Sequence, residues 1–156
     1  MDYLDLIKNN LQKEMMLDIK KMPKEKALDL LIKTLCSDER IVDQHQFKQA
    51  IISREMLMST GIGNGVALPH ARLDGINGII IGFARCIEGI LYESVDDKPV
   101  HFIFMIAVSK EYEKDYLKLL AALATKLREE SFLSDLLNAK TIDEIYELLT
   151  ADHVVA

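Results

Sequence analysis

The stretch Ser59-Thr60-Gly61-Ile62-Gly63-Asn64-Gly65-Val66-Ala67-Leu68-Pro69-His70-Ala71-Arg72 gathers the residues of this chain whose types and spacing could do chemistry. Glycines at alternate positions let a backbone take positive φ and approach another group closely. Successive amides of such a loop can turn toward an anion; the plainer reading is a turn between a helix and a strand. The loop is not a P-loop, because no Gly-Lys-Ser/Thr follows, and it is not a dinucleotide fingerprint, because no helical pattern follows it directly. His70 is more pointed. Pro69 fixes its own φ and pushes Leu68 into an extended conformation, so the imidazole is delivered from a stiffened segment at a strand end. An imidazole of ordinary pKa, about 6.5, is a nucleophile at neutral pH and can carry a phosphoryl group. The alternative is a hydrogen-bonded histidine of core or surface.

Other chemistries find little support. His45, His70, His101 and His153 show no H-x-H or H-E-x-x-H spacing, so no metal site is expected. There is no G-x-S-x-G for a serine hydrolase. Cys36 and Cys86 are far apart and form no C-x-x-C pair, which reads as two reduced core thiols in a cytoplasmic protein. Met15, Met16, Met56, Met58 and Met105 read as core filler, and His101 as a packing residue at the start of an apolar strand. With 19 Lys+Arg against 25 Asp+Glu the net charge is −6, which argues against a nucleic-acid groove and suits a protein that meets basic or neutral partner surfaces. The longest uninterrupted apolar run, Phe102 to Val108, falls far short of the ~18 residues of a membrane span. Charges are spread through the first twenty residues, so neither membrane insertion nor a signal-peptide core is expected.

The elements that must position these residues can be placed by periodicity. The 156 residues suit one domain. Tyr3 to Leu11 reads as a short amphipathic helix and Met15 to Ile19 as a short strand. Pro23 suits the first turn of a helix that carries Ala27, Leu28, Leu31 and Leu35 and ends near Ser37 and Asp38. A second helix, about Gln44 to Leu57, has Phe47, Ala50, Ile51 and Met58 on one stripe. Ile79 to Ala84 and Val100 to Val108 read as strands buried on both faces, with a turn at Asp97-Lys98-Pro99. A long helix over Glu111 to Glu129 carries Leu117, Leu120, Ala121, Ala124 and Leu127 toward the core, with Tyr116 at the edge of that stripe. Shorter helices follow at Ser131 to Leu137 and Ile142 to Leu149, the last with Thr141 and Glu144 as a capping box. The tail from Ala151 reads as frayed. Helices alternating with buried strands give an α/β class: a single-domain mixed β-sheet flanked by helices on both faces.

Glu55, six intervening residues and then Ile62-Gly63-Asn64-Gly65-Val66-Ala67-Leu68-Pro69-His70-Ala71 resembles the signature of enzyme IIA of the fructose/mannitol type. This phosphotransferase-system family includes nitrogen-regulatory IIA proteins. The length, the two helices before the signature, the strands after it and the helical last third fit as well. The resemblance implies a fructose/mannitol-type enzyme IIA fold over residues 1–150, with 151–156 a tail. It implies that His70 accepts a phosphoryl group from the phosphocarrier protein HPr and passes it to a cysteine or histidine of an enzyme IIB. It also places an arginine sixteen residues before the histidine, here Arg54, whose guanidinium fork can hold a phosphoryl group. Arg54 and the loop amides of Ile62, Gly63, Asn64 and Gly65 would then stabilise the phosphoryl oxygens, with no cofactor or metal. The family usually has a second histidine followed by leucine in the helix after the last long strand. The aligned pair here is Tyr116-Leu117, so one hydroxyl stands where a cation could, unless His101 compensates. Two other roles remain open: a regulatory module whose phosphorylation state controls binding to other proteins, and a non-catalytic domain that keeps the fold.

Overall fold

The computed structural model describes residues 3–151; the remaining tail, 152–156, lies outside the described residues. The chain runs α1 (Tyr3–Asn10), β1 (Leu11–Asp18), α2 (Lys24–Cys36), α3 (Gln44–Leu57), β2 (Gly61–Gly63), β3 (Val66–Ala67), β4 (His70–Leu73), β5 (Ile79–Ile90) and β6 (Val100–Ser109). A 3-10 turn at Lys110–Tyr112 leads into α4 (Glu113–Lys126), α5 (Glu130–Asn138) and α6 (Ile142–Thr150). Six strands form one mixed sheet in the order β1-β5-β6-β3-β2, with β4 also on β6. β5 and β6 are the antiparallel centre; β1 lies parallel to β5, and β3 and β4 lie parallel to β6.

Continuous apolar runs make β5 and β6 central strands, because both faces of each must be covered. Ile79, Ile81, Phe83, Phe102, Phe104, Ile106 and Val108 pack under α1, α4, α5 and α6. Ile80, Ala84, Ile103, Met105 and Ala107 pack under α2 and α3 on the other face. Gly82 allows α2 to come in close, since a Cβ there would stand 2.2 Å from Leu35 Cδ1. β5 runs six residues past the expected Ala84, with a register shift between Arg85 and Ile90. Arg85 is buried on the α5 face, where its guanidinium pairs with Asp18 and donates to the carbonyls of Leu136 and Ala139 at the end of α5.

Three expectations of packing need correction. Met58 is not on the buried stripe of α3: it follows the helix in an extended conformation and is 70% exposed, and Met56 is 82% exposed. The buried stripe of α4 is Tyr116, Leu119, Leu123 and Leu127, while Leu117 is 54% exposed. Two stripes satisfy the helical period in this segment, and the one rich in large side chains buries more apolar area than the one containing Ala121 and Ala124. The capping box at α6 is half formed. Thr141 accepts from the Glu144 amide, but the Glu144 carboxylate accepts from the amide of Lys140 and not from that of Thr141.

Candidate functional site

β3 and β4 are one strand interrupted at Leu68-Pro69. Val66 pairs with Phe102, Ala67 with Ile103, His70 with Ile106 and Arg72 with Val108, so the register against β6 is constant across the break. Pro69 has no N–H to donate, but its carbonyl accepts from the Ile106 amide at 3.0 Å. Leu68 turns its amide the other way, to the Thr60 carbonyl at 3.0 Å. Alternation then sets the faces. Val66 and Leu68 lie in the α4-side core and Ala67 and Ala71 in the α2–α3 core, so His70 and Arg72 face α4. β2 pairs with β3 and stops, which leaves β4 on the sheet edge and His70 half-buried.

The His70 Nδ1 lies 2.7 Å from the Leu68 carbonyl oxygen. A carbonyl only accepts, so Nδ1 carries the hydrogen and Nε2 keeps its lone pair. Burial pushes the His70 pKa down; the Leu68 carbonyl and Glu55 pull it up, Arg54 pushes it further down, and the net direction is downward. The ring is therefore a neutral nucleophile at pH 7. Its centroid lies 5.6 Å from that of the Tyr116 ring, at 53°. Burial raises the Tyr116 pKa against the opposing pull of Arg72 and Arg54, so its hydroxyl stays neutral. Arg54, in the last turn of α3, donates to the Met58 carbonyl at 2.7 Å and is close enough to act on both rings.

The glycine loop does something other than expected. Gly63, Asn64 and Gly65 all have positive φ. The Gly63 amide donates to Ser94 Oγ at 3.1 Å and the Asn64 amide to Asp96 Oδ2 at 3.0 Å. The Gly65 carbonyl takes the amides of His101 and Phe102. These bonds tie the β2–β3 turn to the loop before β6, near its residue 101, whereas His70 pairs with Ile106. Five residues of strand separate the two points, about 17 Å. Gly63, Asn64 and Gly65 thus lie outside the site around His70, and Ile62 stands exposed on β2. His101 is equally remote. Its Nδ1 donates to the Cys86 carbonyl and its ring fills the space over Gly65 and Gly89, so it cannot make up for the tyrosine at 116.

Two features escaped the sequence reading. Glu55 accepts from the Thr60 amide and hydroxyl, at 3.0 and 2.6 Å, and pairs with Lys24 at 2.8 Å. Burial opposes its charge, but the bonds from Lys24 and Thr60 outweigh burial and hold its pKa below the usual carboxylate range. Since the Thr60 hydroxyl donates to Glu55, the Tyr92 hydroxyl, 2.8 Å away, donates to Thr60. This buried network fastens the end of α3, and with it Arg54, to the strand beside Leu68. The second feature is Arg72, which pairs with Glu113 at the start of α4.

A one-domain sheet with a neutral imidazole on its edge, an arginine beside it and no group of three or more His, Cys, Asp or Glu fit for a metal among the described residues narrows the comparison with known proteins. The family described as "Phosphoenolpyruvate-dependent sugar phosphotransferase system, EIIA 2" matches residues 10–152. The chain belongs to this EIIA family. A fructose-specific EIIA component of Haloferax volcanii is 33% identical over 126 residues, 81% of this chain and 82% of that protein. A fructose-specific EIIABC component of Bacillus subtilis is 35% identical over 133 residues, which cover 85% of this chain and 21% of that protein. This EIIA chain therefore spans about a fifth of that relative's length. The crystal structure of the nitrogen regulatory protein IIA-Ntr from Neisseria meningitidis superposes with a TM-score of 0.86 at 28% identity, covering 93% of this chain and 99% of that one. The mixed six-stranded sheet with helices on both faces is thus the EIIA fold. Among the described residues of this EIIA chain, no helix is long and apolar enough to cross a membrane.

Proposed function

We propose that this EIIA domain is a cytoplasmic phosphohistidine relay that takes a phosphoryl group from phosphorylated HPr onto His70 and hands it to an enzyme IIB. The observation that carries the reading is the bond from His70 Nδ1 to the Leu68 carbonyl, which leaves Nε2 as the reacting atom. The Nε2 lone pair forms the N–P bond while the bond from phosphorus to the donor atom breaks and its electron pair stays with the donor. Because Nδ1 keeps its hydrogen, the phosphorylated ring is formally cationic. A neutral imidazole then departs on the onward step, so the group stays transferable. Arg54 supplies positive charge to the phosphoryl oxygens and Tyr116 one neutral hydrogen bond, which fits transfer driven by positioning and charge. Ile62 and the exposed Met56, Leu57 and Met58 beside Arg54 suit a docking face for a protein donor or acceptor.

Incubation with phosphorylated HPr followed by mass measurement tests this. The chain is expected to gain one phosphoryl group, and His70→Gln, which keeps polarity but loses the nucleophile, is expected to gain none. Undiminished labelling of His70→Gln would refute the reading. A fructose-type IIB is the first acceptor to try, given the two fructose-specific relatives. The likeness to IIA-Ntr favours a second reading, in which the state of His70 controls binding to a regulatory target. A labelled chain that gives nothing to any IIB would point there.

A further inference from the structure

The pair Arg72–Glu113 sits one step from the chemistry. His70 and Arg72 are successive outward residues of β4 on the α4 face, about 6.6 Å apart along the strand. Tyr116 and Glu113 are one turn apart on α4. His70 meets Tyr116 and Arg72 meets Glu113, so the two contacts are neighbouring rungs between the same strand and helix. The Arg72 guanidinium also acts on the Tyr116 hydroxyl together with that of Arg54. A phosphoryl group on Nε2 brings a dianion to this place. Tyr116 offers it no charge, and one N–H of Arg54 is already spent on the Met58 carbonyl.

We propose that Arg72 is a second phosphoryl-binding residue, held by Glu113 in the unphosphorylated protein and exchanged onto the phosphoryl oxygens when His70 is modified. This rests on the reading of His70 as the acceptor. The exchange is cheap. Both side chains are substantially exposed, and such pairs contribute little. Glu113 is the first residue of α4, so the helix N-terminus continues to favour its charge after Arg72 leaves. The guanidinium gains a dianion with matching fork geometry in place of one carboxylate. Glu113 is then a competitor of the phosphoryl group for the same cation, and phosphorylation pulls Arg72 off the start of α4.

The test uses the phosphoryl equilibrium between HPr and the full chain, measured by mass from both directions. Docking strength drops out of that ratio, which reads only the relative stability of the two phosphoproteins. Arg72→Gln is expected to shift the ratio about tenfold toward phospho-HPr, the loss of one charge-assisted contact, and Arg72→Lys by less. Glu113→Gln is expected to shift it the opposite way, and the double variant should match Arg72→Gln alone. A merely structural ion pair would move both single variants in the same direction or neither, and either result overturns the proposal. No label on the wild-type chain refutes the His70 reading and this proposal with it. A labelled wild type with an unmoved ratio refutes Arg72 alone.

Discussion

At the scale of the residue, His70 is defined by where its one hydrogen sits. The Leu68 carbonyl holds it on Nδ1, and burial, ahead of Arg54, makes a second proton unwelcome. The sign of the consequence follows by linkage. The folded pKa lies below the unfolded one, about 6.5, so as pH falls the unfolded chain takes the proton first. The contribution of His70 to stability is complete above that unfolded value and is lost as pH drops through the folded one. Denaturant unfolding across pH 7 to 5 should show this slope, and His70→Gln should lack that part of it. The imidazole titration followed by NMR should have its midpoint below 6.5; a midpoint above it would mean that the buried neutral tautomer is wrong. Legibility differed among these residues for physical reasons. Pro69 announces a stiffened His70, since its effect on the chain is local. Nothing local marks Arg72, because an exposed arginine looks alike whether it faces water or a helix 41 residues away in sequence.

At the scale of the element, the site depends on an attachment that no periodicity reveals. α3 and the strand beside Leu68 are joined through Glu55, Thr60 and Tyr92. Thr60→Val keeps the shape but leaves the Tyr92 hydroxyl and one Glu55 oxygen without this partner. A loss of about 1–3 kcal/mol in urea unfolding is expected. Transfer from HPr should slow as well, because Arg54 is no longer held in place; unchanged stability would show that water replaces the hydroxyl freely. β5 and β6 were legible as buried strands, because only a doubly covered strand needs an unbroken apolar run. The phase of α4 was not, because leucines at 117, 119, 120, 123 and 127 satisfy two stripes and only the sheet beneath chooses. The glycine loop misled for a related reason. Its amides look free in sequence, and their partners Ser94 and Asp96 lie about thirty residues on.

At the scale of the whole molecule, the proposed transfer requires another protein to reach the half-buried His70 on the sheet edge. The exposed cluster at the end of α3 suits that meeting: Met56, Leu57 and Met58 are 82%, 84% and 70% exposed. Replacing Met56 and Leu57 by serine should leave thermal unfolding nearly unchanged, because neither contributes to the core. It should weaken HPr binding by about tenfold or more, readable by calorimetry, if these side chains are anchors of the interface. Binding at wild-type strength would move the docking face elsewhere.

The constant register of the broken strand on β6 also orders events in time. A ribosome lays down His70 well before Ile106, the residue that seats it, and Asp18 before Arg85, its neighbour across the sheet. Pairings between positions so far apart in sequence form late. For that interval the nascent chain already carries its nucleophile but has no edge to mount it on and no α4 to face it. The proposed relay is therefore silent until β6 and α4 have been made, and a chain halted before Val100 would have the motif in full and no β6 to hold it.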